Sequence, residues 1–194
     1  MSSPRLRQRI RQQRRSLSRA EADLYAEQLA QRTARHALVL QSQRIAAYLA
    51  ADGEIDPVPL MQSLWEMGKT IYLPVLVPFS NWKLWFAEFN PTDRLAFNRF
   101  GIPEPVQRRL IKPCALDLVL TPLVAFDDNG HRIGMGGGYY DRSFAFLRRR
   151  RHWRKPRLLG LAYELQKQVA IKPNDWDIPL DAVATEAKIY TTKR

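Results

Sequence analysis

Short apolar runs alternate with helix-forming segments along this chain, and this alternation restricts the fold more than any other feature. Residues 44–50 (Arg-Ile-Ala-Ala-Tyr-Leu-Ala) are typical of a buried strand, and residues 69–76 predict a second strand after a helix that begins at Pro57. Further strands are predicted at residues 116–122 and 157–162. A strand, a helix and a strand in succession form a parallel unit. The sequence therefore predicts an α/β fold with one open, largely parallel, Rossmann-like sheet flanked by helices.

The first 40 residues are expected to form helices that pack on this core. Apolar residues compatible with one helical stripe are Leu6, Ile10, Leu17 and Leu24. The arginines between them are then expected to face outward, towards solvent or an anionic ligand. Ser18 and Glu21 match a capping box, which predicts a second helix from about Arg19 to about Leu40. We therefore expect a single domain over residues 1–194, with a helical segment of about residues 4–40 packed on the α/β core.

The other segments carry weaker signals. Asp56 is expected to cap the helix that begins at Pro57. An aromatic-rich strand is predicted over residues 82–89, whereas residues 90–113 are interrupted by prolines and are expected to be irregular. A helix is expected from about Tyr139 to Arg151, and two short strands are expected within residues 183–191.

The composition fits a globular protein in a reducing compartment. Of the 194 residues 45% are hydrophobic, which is enough for a substantial core, and the single cysteine excludes a disulfide within the chain. The longest apolar run, residues 45–51, is too short to span a bilayer. We therefore expect a cytoplasmic protein that is monomeric and does not bind a membrane.

The net charge of +12 raises an alternative function, a basic module that binds nucleic acid. Residues 1–19 contain seven arginines, and residues 148–157 contain six arginines and one lysine. Such clusters can contact a phosphate backbone. A solvated helix end that complements the helix dipole explains the second cluster as well, and we favour that interpretation. No specific nucleic acid partner is expected.

Residues 132–142 (Arg-Ile-Gly-Met-Gly-Gly-Gly-Tyr-Tyr-Asp-Arg) predict a ligand site. Clustered glycines indicate that side chains would obstruct a ligand, which we expect to carry phosphate. Backbone N–H groups in such a loop can converge on phosphate oxygens. The loop matches neither common phosphate motif, because position 139 is tyrosine rather than glycine and no Gly-Lys-Ser/Thr ending follows. A basic, glycine-rich loop between a strand and a helix remains, with a carboxylate beside it.

Each polar residue of the loop has two interpretations. Asp141 can hold magnesium or merely favour a helix start. Arg132 can neutralise phosphate charge or lie in a surface turn. Tyr139 and Tyr140 can stack on a flat heterocycle or pack beneath the loop, and packing is favoured for at least one of them. Glu54 also follows a predicted strand, so it can converge with the loop on one crevice beyond the ends of the strands.

The segment 116–142 resembles the signature of the 5-formyltetrahydrofolate cyclo-ligase family, the methenyltetrahydrofolate synthetases. The matching residues are Pro122, Ala125, Phe126, Asp127, Gly130, Arg132, Gly134, Gly136, Gly138, Tyr139, Tyr140 and Asp141. Looser resemblance includes residues 52–56, 68–74, 102–105 and 176–181. The resemblance implies a ligase that uses ATP and Mg²⁺ to convert 5-formyltetrahydrofolate into 5,10-methenyltetrahydrofolate. The formyl oxygen is expected to attack the γ-phosphate, and folate N10 then closes the ring and expels phosphate.

The resemblance also implies roles for individual residues. ATP is expected to contact Arg5, Arg7, Arg132, Ile133, Gly134, Met135, Gly136, Gly137, Gly138, Tyr139 and Tyr140. The folate is expected to contact Leu49, Glu54, Met135, Gly136, Gly137, Gly138 and Tyr139. Asp141 and Asp177 match magnesium-binding positions, and Asp177 is preferred to Asp175 because its spacing to Asp181 matches the family. Arg132, Tyr139 and Asp141 are expected to be catalytic.

Two features of the sequence modify that assignment. The family often carries a lysine where this chain has Ser3, and Arg5 is expected to replace it. Trp82, Trp85 and Phe86 can form a platform for the folate, but packing in the core is the favoured interpretation.

Overall fold

The computed structural model describes residues 3–77, 83–98, 101–106, 109–150 and 155–192. The helices are α1 (Ser3–Arg15), α2 (Arg19–Ala34), α3 (Ala37–Leu40), α4 (Val58–Glu66) and α5 (Tyr139–Phe144). Three short 3₁₀ segments lie at Pro113–Ala115, Ala145–Arg149 and Glu164–Gln166.

Twelve strands are present in the described ranges. In chain order they are β1 (Arg44–Ala46), β2 (Thr70–Leu76), β3 (Leu84–Glu88), β4 (Leu95–Phe97), β5 (Pro103–Pro105), β6 (Leu110–Ile111), β7 (Leu118–Pro122), β8 (Ala125–Phe126), β9 (Arg132–Ile133), β10 (Arg157–Leu161), β11 (Ala182–Ala184) and β12 (Ile189–Thr191).

Eight of these strands form one open sheet in the order β12-β11-β10-β7-β1-β2-β3-β6. The five strands from β11 to β2 pair in parallel, whereas β12, β3 and β6 pair antiparallel with their neighbours. The prediction of an α/β fold with a largely parallel sheet is confirmed. Two small antiparallel pairs, β4 with β5 and β8 with β9, lie outside the sheet.

The parallel strands are buried on both faces because side chains alternate along each strand. Ile45 of β1 belongs to a core on one face that includes Leu29 of α2 and Leu60 of α4. The next residue, Ala46, belongs to the core on the other face, which includes Phe144 of α5. This arrangement leaves the loops that follow the strands free to form a site.

Helix α1 packs outside these two cores and takes part in a small apolar cluster of its own. Its residues Leu6 and Ile10 are buried against Val124, which lies between β7 and β8. The predicted stripe is wrong at Leu24, which is 54% exposed on α2. The capping box of α2 is confirmed, with Ser18 accepting from the Glu21 backbone N–H and Glu21 accepting from the Ser18 backbone.

Several predicted boundaries are corrected by local interactions. Helix α2 ends at Ala34 rather than near Leu40, because His36 is extended and its Nδ1 accepts from the Leu38 N–H to begin α3. Strand β1 ends at Ala46 rather than at residue 50, where the chain leaves the sheet. Helix α4 begins at Val58, one residue later than predicted, although Asp56 does accept from the Val58 N–H at 2.9 Å.

The segments on either side of the glycine loop also differ from the prediction. The hairpin of β8 and β9 precedes the loop, so the loop does not follow β7 directly. The helix after the loop ends at Phe144 and continues as a 3₁₀ segment to Arg149. This tighter winding aligns side chains three residues apart, and Phe144 and Leu147 are both buried. Residues 90–113 include β4, β5 and β6 rather than irregular chain alone.

Candidate active site

A cavity of about 810 Å³ opens where the loops after β1 and β9 meet. Its size is in the range of sites for ligands as large as a nucleotide or a pterin. The predicted site residues that line it are Arg7, Leu49, Glu54, Arg132, Ile133, Gly134, Met135, Gly136, Gly137, Gly138, Tyr139, Tyr140, Asp141 and Asp177. The sequence therefore identified residues from four separate segments that the fold brings to one cavity.

The glycine loop presents its backbone to this cavity. Gly136 has φ +100° and Gly138 has φ +63°, both in the region that side chains disfavour. A Cβ on Gly138 would lie 2.8 Å from Nη1 of Arg142, whereas a Cβ on Gly136 would meet none of the described atoms within 4 Å. Glycine is thus required at Gly136 by backbone conformation, and the open side of the loop leaves room for a ligand.

Arg132 is neither a surface turn residue nor an unpaired cation. Its side chain is only 5% exposed, and its Nη2 donates to Asp141 Oδ1 at 2.6 Å. Its Nη1 donates to the Ile178 carbonyl, and the Ile178 N–H donates to the same Asp141 oxygen at 3.2 Å. Arg132 thus fixes the Asp141 carboxylate and joins the glycine loop to the segment that carries Asp177.

Asp177 is held by a second local network. Its Oδ2 accepts from the Asn174 backbone N–H at 2.8 Å and from Asn174 Nδ2 at 3.2 Å. Asp175 is exposed and does not line the cavity, so the geometry supports the choice of Asp177. Asp141 and Asp177 are two oxygen donors on one cavity, a set that suits Mg²⁺ bound together with phosphates. The described residues include no group of three or more side chains of the metal-binding types.

Glu54 follows the turn after β1 and lines the same cavity as the glycine loop. Its carboxylate accepts from the Ala51 N–H at 3.3 Å, and its own N–H donates to the Ala51 carbonyl at 3.0 Å. Burial raises the pKa of Glu54, while the Ala51 bond and the nearby charge of Arg14 lower it. A partly buried carboxylate on a cavity wall can accept hydrogen bonds from the N–H groups of a heterocycle.

Both tyrosines of the loop line the cavity and pack against the apolar core, but their neighbours differ. Tyr140 packs against Phe144 with ring centroids 6.2 Å apart, and burial raises the pKa of its hydroxyl. The ring of Tyr139 lies 5.3 Å from the guanidinium carbon of Arg142 and also faces the cavity. Packing beneath the loop is therefore confirmed for Tyr140, in agreement with the expectation for at least one of the pair.

The two N-terminal arginines also differ. Arg7 lines the cavity, and its Nε donates to the Gly134 carbonyl at 2.8 Å. Arg5 is exposed and is not among the lining residues. Contact between ATP and Arg5 stays a prediction, and the structure supplies no support for it.

The aromatic platform is not formed by the residues that the structure describes. Phe86 is fully buried and packs 6.0 Å from Phe144, as the favoured interpretation expected. Trp85 does not line the cavity and instead lies beneath Lys112, 5.8 Å from its Nζ. Trp82 lies outside the described residues.

Sequence reasoning missed several lining residues. The hairpin of β4 and β5 contributes Asn98, Ile102 and Glu104 to the cavity. Buried Glu104 accepts from the Leu76 N–H and from Asn98 Nδ2, both at 2.8 Å, so it fixes this hairpin against β2. Trp176 was missed as well, although it is 61% exposed beside Asp177. The signal available in the sequence was a large aromatic residue next to Asp177, a predicted magnesium ligand.

The N-terminal arginine cluster is largely occupied by contacts inside the protein. Arg11, Arg14 and Arg15 all pair with Asp52, and Arg14 is buried, so the expectation that these arginines face outward is wrong for Arg14. In the second cluster Arg148 donates to the Asp175 carbonyl and Arg150 to the Lys155 carbonyl. No helix among the described residues is long and apolar enough to cross a bilayer.

The chain is similar to known proteins along almost its whole length. The model of the 5-formyltetrahydrofolate cyclo-ligase family matches residues 1–186. The chain is 41% identical to the 5-formyltetrahydrofolate cyclo-ligase of Escherichia coli (strain K12) over 93% of this chain and 98% of that protein. It is 40% identical to the Haemophilus influenzae protein of the same name, over 90% of this chain and 94% of the other.

A solved structure extends the similarity to the fold. The 5,10-methenyltetrahydrofolate synthetase of Aquifex aeolicus superimposes with a TM-score of 0.83 at 29% identity, covering all of this chain and 94% of the other. With a family model over residues 1–186 and relatives of 40% identity and more, the chain belongs to the 5-formyltetrahydrofolate cyclo-ligase family.

Proposed function

We propose that this chain uses ATP and Mg²⁺ to close 5-formyltetrahydrofolate into 5,10-methenyltetrahydrofolate, with release of ADP and phosphate. The class of activity, a cyclo-ligase of folate metabolism, follows from membership of the family. The observation that carries the finer proposal is the single cavity on which the glycine loop, Glu54 and the carboxylates of Asp141 and Asp177 converge. Two substrates that must exchange a phosphoryl group need such a shared site.

The proposed chemistry needs no nucleophile from the protein. The formyl oxygen attacks the γ-phosphorus and ADP leaves, which gives an imidate phosphate on N5. Folate N10 then attacks the activated carbon, the C–O bond breaks, and phosphate leaves with the former formyl oxygen while N10 loses its proton. The protein contributes by positioning the substrates and neutralising charge, which account for most of enzymatic phosphoryl transfer.

The residues of the cavity divide naturally between the two substrates. Backbone N–H groups from Gly134 to Gly138 would cradle phosphate, and Arg7 borders this part of the site. Glu54 and Leu49 border the other part, where the carboxylate can accept from pterin N–H groups and the apolar side chain can contact the ring. Tyr139 lies on the loop that both substrates would touch.

Asp141 and Asp177 would hold the magnesium ion. Asp141 accepts from Arg132 and Ile178 through Oδ1, Asp177 accepts from Asn174 through Oδ2, and both residues line the same cavity. When bound, Mg²⁺ offsets the negative charge of the phosphates. Arg132 and Asn174 would keep the two carboxylates in place, since residues behind metal ligands fix their orientation.

A spectroscopic assay tests this function. Purified protein is mixed with 5-formyltetrahydrofolate, ATP and MgCl₂, and the absorbance of methenyltetrahydrofolate is followed together with phosphate release. We expect one phosphate per ring closed, no product without ATP, and loss of product when EDTA removes the metal. Product that forms equally well without ATP, or no product at all, would refute the proposal.

The alternative, a nucleic-acid-binding module, makes a different prediction. It requires salt-sensitive binding to RNA or DNA that persists when the glycine loop is altered. We favour the ligase because three of the seven arginines in the N-terminal cluster, Arg11, Arg14 and Arg15, are held by Asp52.

A further inference from the structure

Helix α1 carries an arginine where its buried stripe calls for an apolar residue. Leu6, Ile10 and Arg14 are spaced four residues apart and are all buried, with the side chain of Arg14 completely enclosed. Arginine is almost never fully buried unless it is paired. The charge of Arg14 therefore has a specific partner, and the choice of partner indicates its role.

That partner is the Asp52 turn. Arg14 Nη2 donates to the Asp52 carbonyl at 3.0 Å and to Asp52 Oδ2 at 3.3 Å, and its Nη1 donates to the Leu123 carbonyl at 3.1 Å. Arg11 Nε donates to Asp52 Oδ2 at 2.5 Å, and Arg15 pairs with Oδ1. Arg11 foremost, and Arg15 after it, hold the pKa of Asp52 below its usual range.

The turn itself has a conformation that needs support. Asp52 has φ +55° and Gly53 has φ +70°, and the Glu54 N–H donates to the Ala51 carbonyl, which together define a type I′ turn. A residue with a side chain is disfavoured in the left-handed region and persists there when its surroundings hold it. Asp52 is held by Arg14 through both its carbonyl and its carboxylate. Gly53 packs on the same helix end, since a Cβ there would lie 3.4 Å from the Arg14 carbonyl carbon.

Glu54 is the last residue of this turn and lines the cavity. We propose that Arg14 is a positioning residue for the folate half of the site, which acts by fixing the Asp52–Gly53 turn on α1 and so placing the Glu54 carboxylate. The inference rests on the proposed function, since it takes Glu54 to contact the pterin. Arg14 itself is not among the residues that line the cavity, whereas Asp52 and Glu54 are, so it acts through this turn rather than on the substrate.

The same helix offers a matched comparison. Arg7 lies two helical turns before Arg14, and it donates to the Gly134 carbonyl in the loop assigned to ATP. Loss of Arg14 should therefore impair binding of the folate, whereas loss of Arg7 should impair binding of ATP. A general loosening of α1 would affect both substrates in both variants.

Steady-state kinetics on the full chain test this separation. For Arg14→Met we expect the KM for 5-formyltetrahydrofolate to rise at least tenfold, with the KM for ATP within about twofold of wild type; Arg7→Met should show the opposite pattern. Arg14→Lys should recover part of the loss because it keeps the charge. The control is Arg19→Met, which removes a 95% exposed arginine paired only on the surface and should leave both constants unchanged.

A double mutant decides whether Arg14 acts through Glu54. If it does, Arg14→Met should add less than about twofold to the folate KM of Glu54→Gln, because the carboxylate that it positions is already gone. Full multiplication of the two effects, or an equal rise in both KM values, would overturn the inference. An inactive wild type would refute the proposed function instead.

A second variant covers the case in which Arg14→Met does not fold. Asp52→Asn keeps a residue that tolerates the left-handed region and keeps the carbonyl that Arg14 contacts, but it removes the charge that gathers the arginines. We expect it to fold, by circular dichroism, and to raise the folate KM selectively. A folded Asp52→Asn protein with wild-type constants for both substrates would contradict the positioning role.

Discussion

The guanidinium of Arg132 and the carboxylate of Asp141 form a 2.6 Å ion pair in which the arginine side chain is 5% exposed and the aspartate side chain is 23% exposed. Both residues line the cavity, and the carboxylate is the more exposed partner. Arg132 thus fixes Oδ1 of the Asp141 carboxylate, which we propose as a ligand of the magnesium ion. Structure and proposed catalysis are therefore linked at this pair.

Asp141→Asn separates the contribution of Asp141 to stability from its contribution to turnover. The side chain keeps its shape but loses its charge, so we expect turnover to fall by about 100-fold or more, because a metal ligand and charge stabilisation are lost together. The free energy of unfolding should fall by about 1–3 kcal/mol, because Arg132 keeps a weaker partner in a buried position. Asp175→Asn, an exposed acid outside the cavity, is the control for both assays. Wild-type turnover in Asp141→Asn would remove Asp141 from the metal site.

Arg132→Lys tests the need for the planar guanidinium. Arg132 contacts Asp141 with one terminal nitrogen and the Ile178 carbonyl with the other, and a single ammonium group cannot reproduce this fork. We expect stability to fall by about 1–2 kcal/mol in urea unfolding and the concentration of Mg²⁺ needed for half-maximal activity to rise. Arg157→Lys, which alters an exposed arginine paired with Asp181 at 2.8 Å, should change stability by about 0.5 kcal/mol or less. Equal effects at the two positions would contradict this assignment.

We expect Glu54→Gln to raise stability and to weaken binding of the folate. Burial raises the pKa of Glu54 above its ordinary 4.5, so ionisation costs stability as pH rises from 4.5 through the native value. The glutamine variant avoids that cost, and we expect its melting temperature at pH 7 to exceed that of the wild type. The difference should disappear below pH 4.5, where the glutamate is protonated in both states. Thermal melts across this pH range provide the measurement.

Function should change in the other direction in the same variant. We expect the KM of Glu54→Gln for 5-formyltetrahydrofolate to rise about tenfold or more, equivalent to about 1.4 kcal/mol of lost binding. A variant less stable than the wild type at pH 7 but equal to it at low pH would show that the sign assigned to the Glu54 pKa is wrong.

Gly130→Ala tests the hairpin that leads to Arg132. Gly130 has φ +79°, and an added Cβ would lie 2.6 Å from the Leu180 carbonyl oxygen, so both backbone strain and a clash are expected. Gly68→Ala is matched, because Gly68 has φ +70° but its Cβ would meet none of the described atoms within 4 Å. We expect Gly68→Ala to cost about 1–2 kcal/mol and Gly130→Ala at least about 1 kcal/mol more. Equal losses in chemical unfolding would show that the clash relaxes freely.

Much of the fold and site follows from local patterns in the sequence. The buried strands β1, β2, β7 and β10 were predicted because apolar runs bounded by turn residues are a short-range signal. The rule that loops after parallel strands share an edge predicted one cavity for Glu54 and the glycine loop. Both do line one cavity, although the loop follows the hairpin of β8 and β9 rather than a parallel strand. The roles of individual residues within the cavity came from resemblance to the family rather than from such rules.

What the sequence missed depends on long-range contacts. Arg14 seemed one of several outward-facing arginines, because its partner Asp52 lies 38 residues away and no periodicity connects them. The hairpin of β4 and β5 was missed because its prolines indicate irregular chain, yet Pro103 and Pro105 occupy paired positions of a short edge ladder. The burial of Arg132 was likewise not predicted, because its contact with the Ile178 carbonyl joins residues 46 positions apart.

The most direct test follows the formyl oxygen through the reaction. If 5-formyltetrahydrofolate labelled with ¹⁸O in the formyl group is incubated with the protein, MgCl₂ and unlabelled ATP, the label should appear in inorganic phosphate in proportion to methenyltetrahydrofolate formed. This result follows because the γ-phosphoryl group is transferred to the formyl oxygen and leaves with it. Methenyltetrahydrofolate formed with unlabelled phosphate would contradict the account, because the two substrates would then not have exchanged a phosphoryl group in the shared cavity.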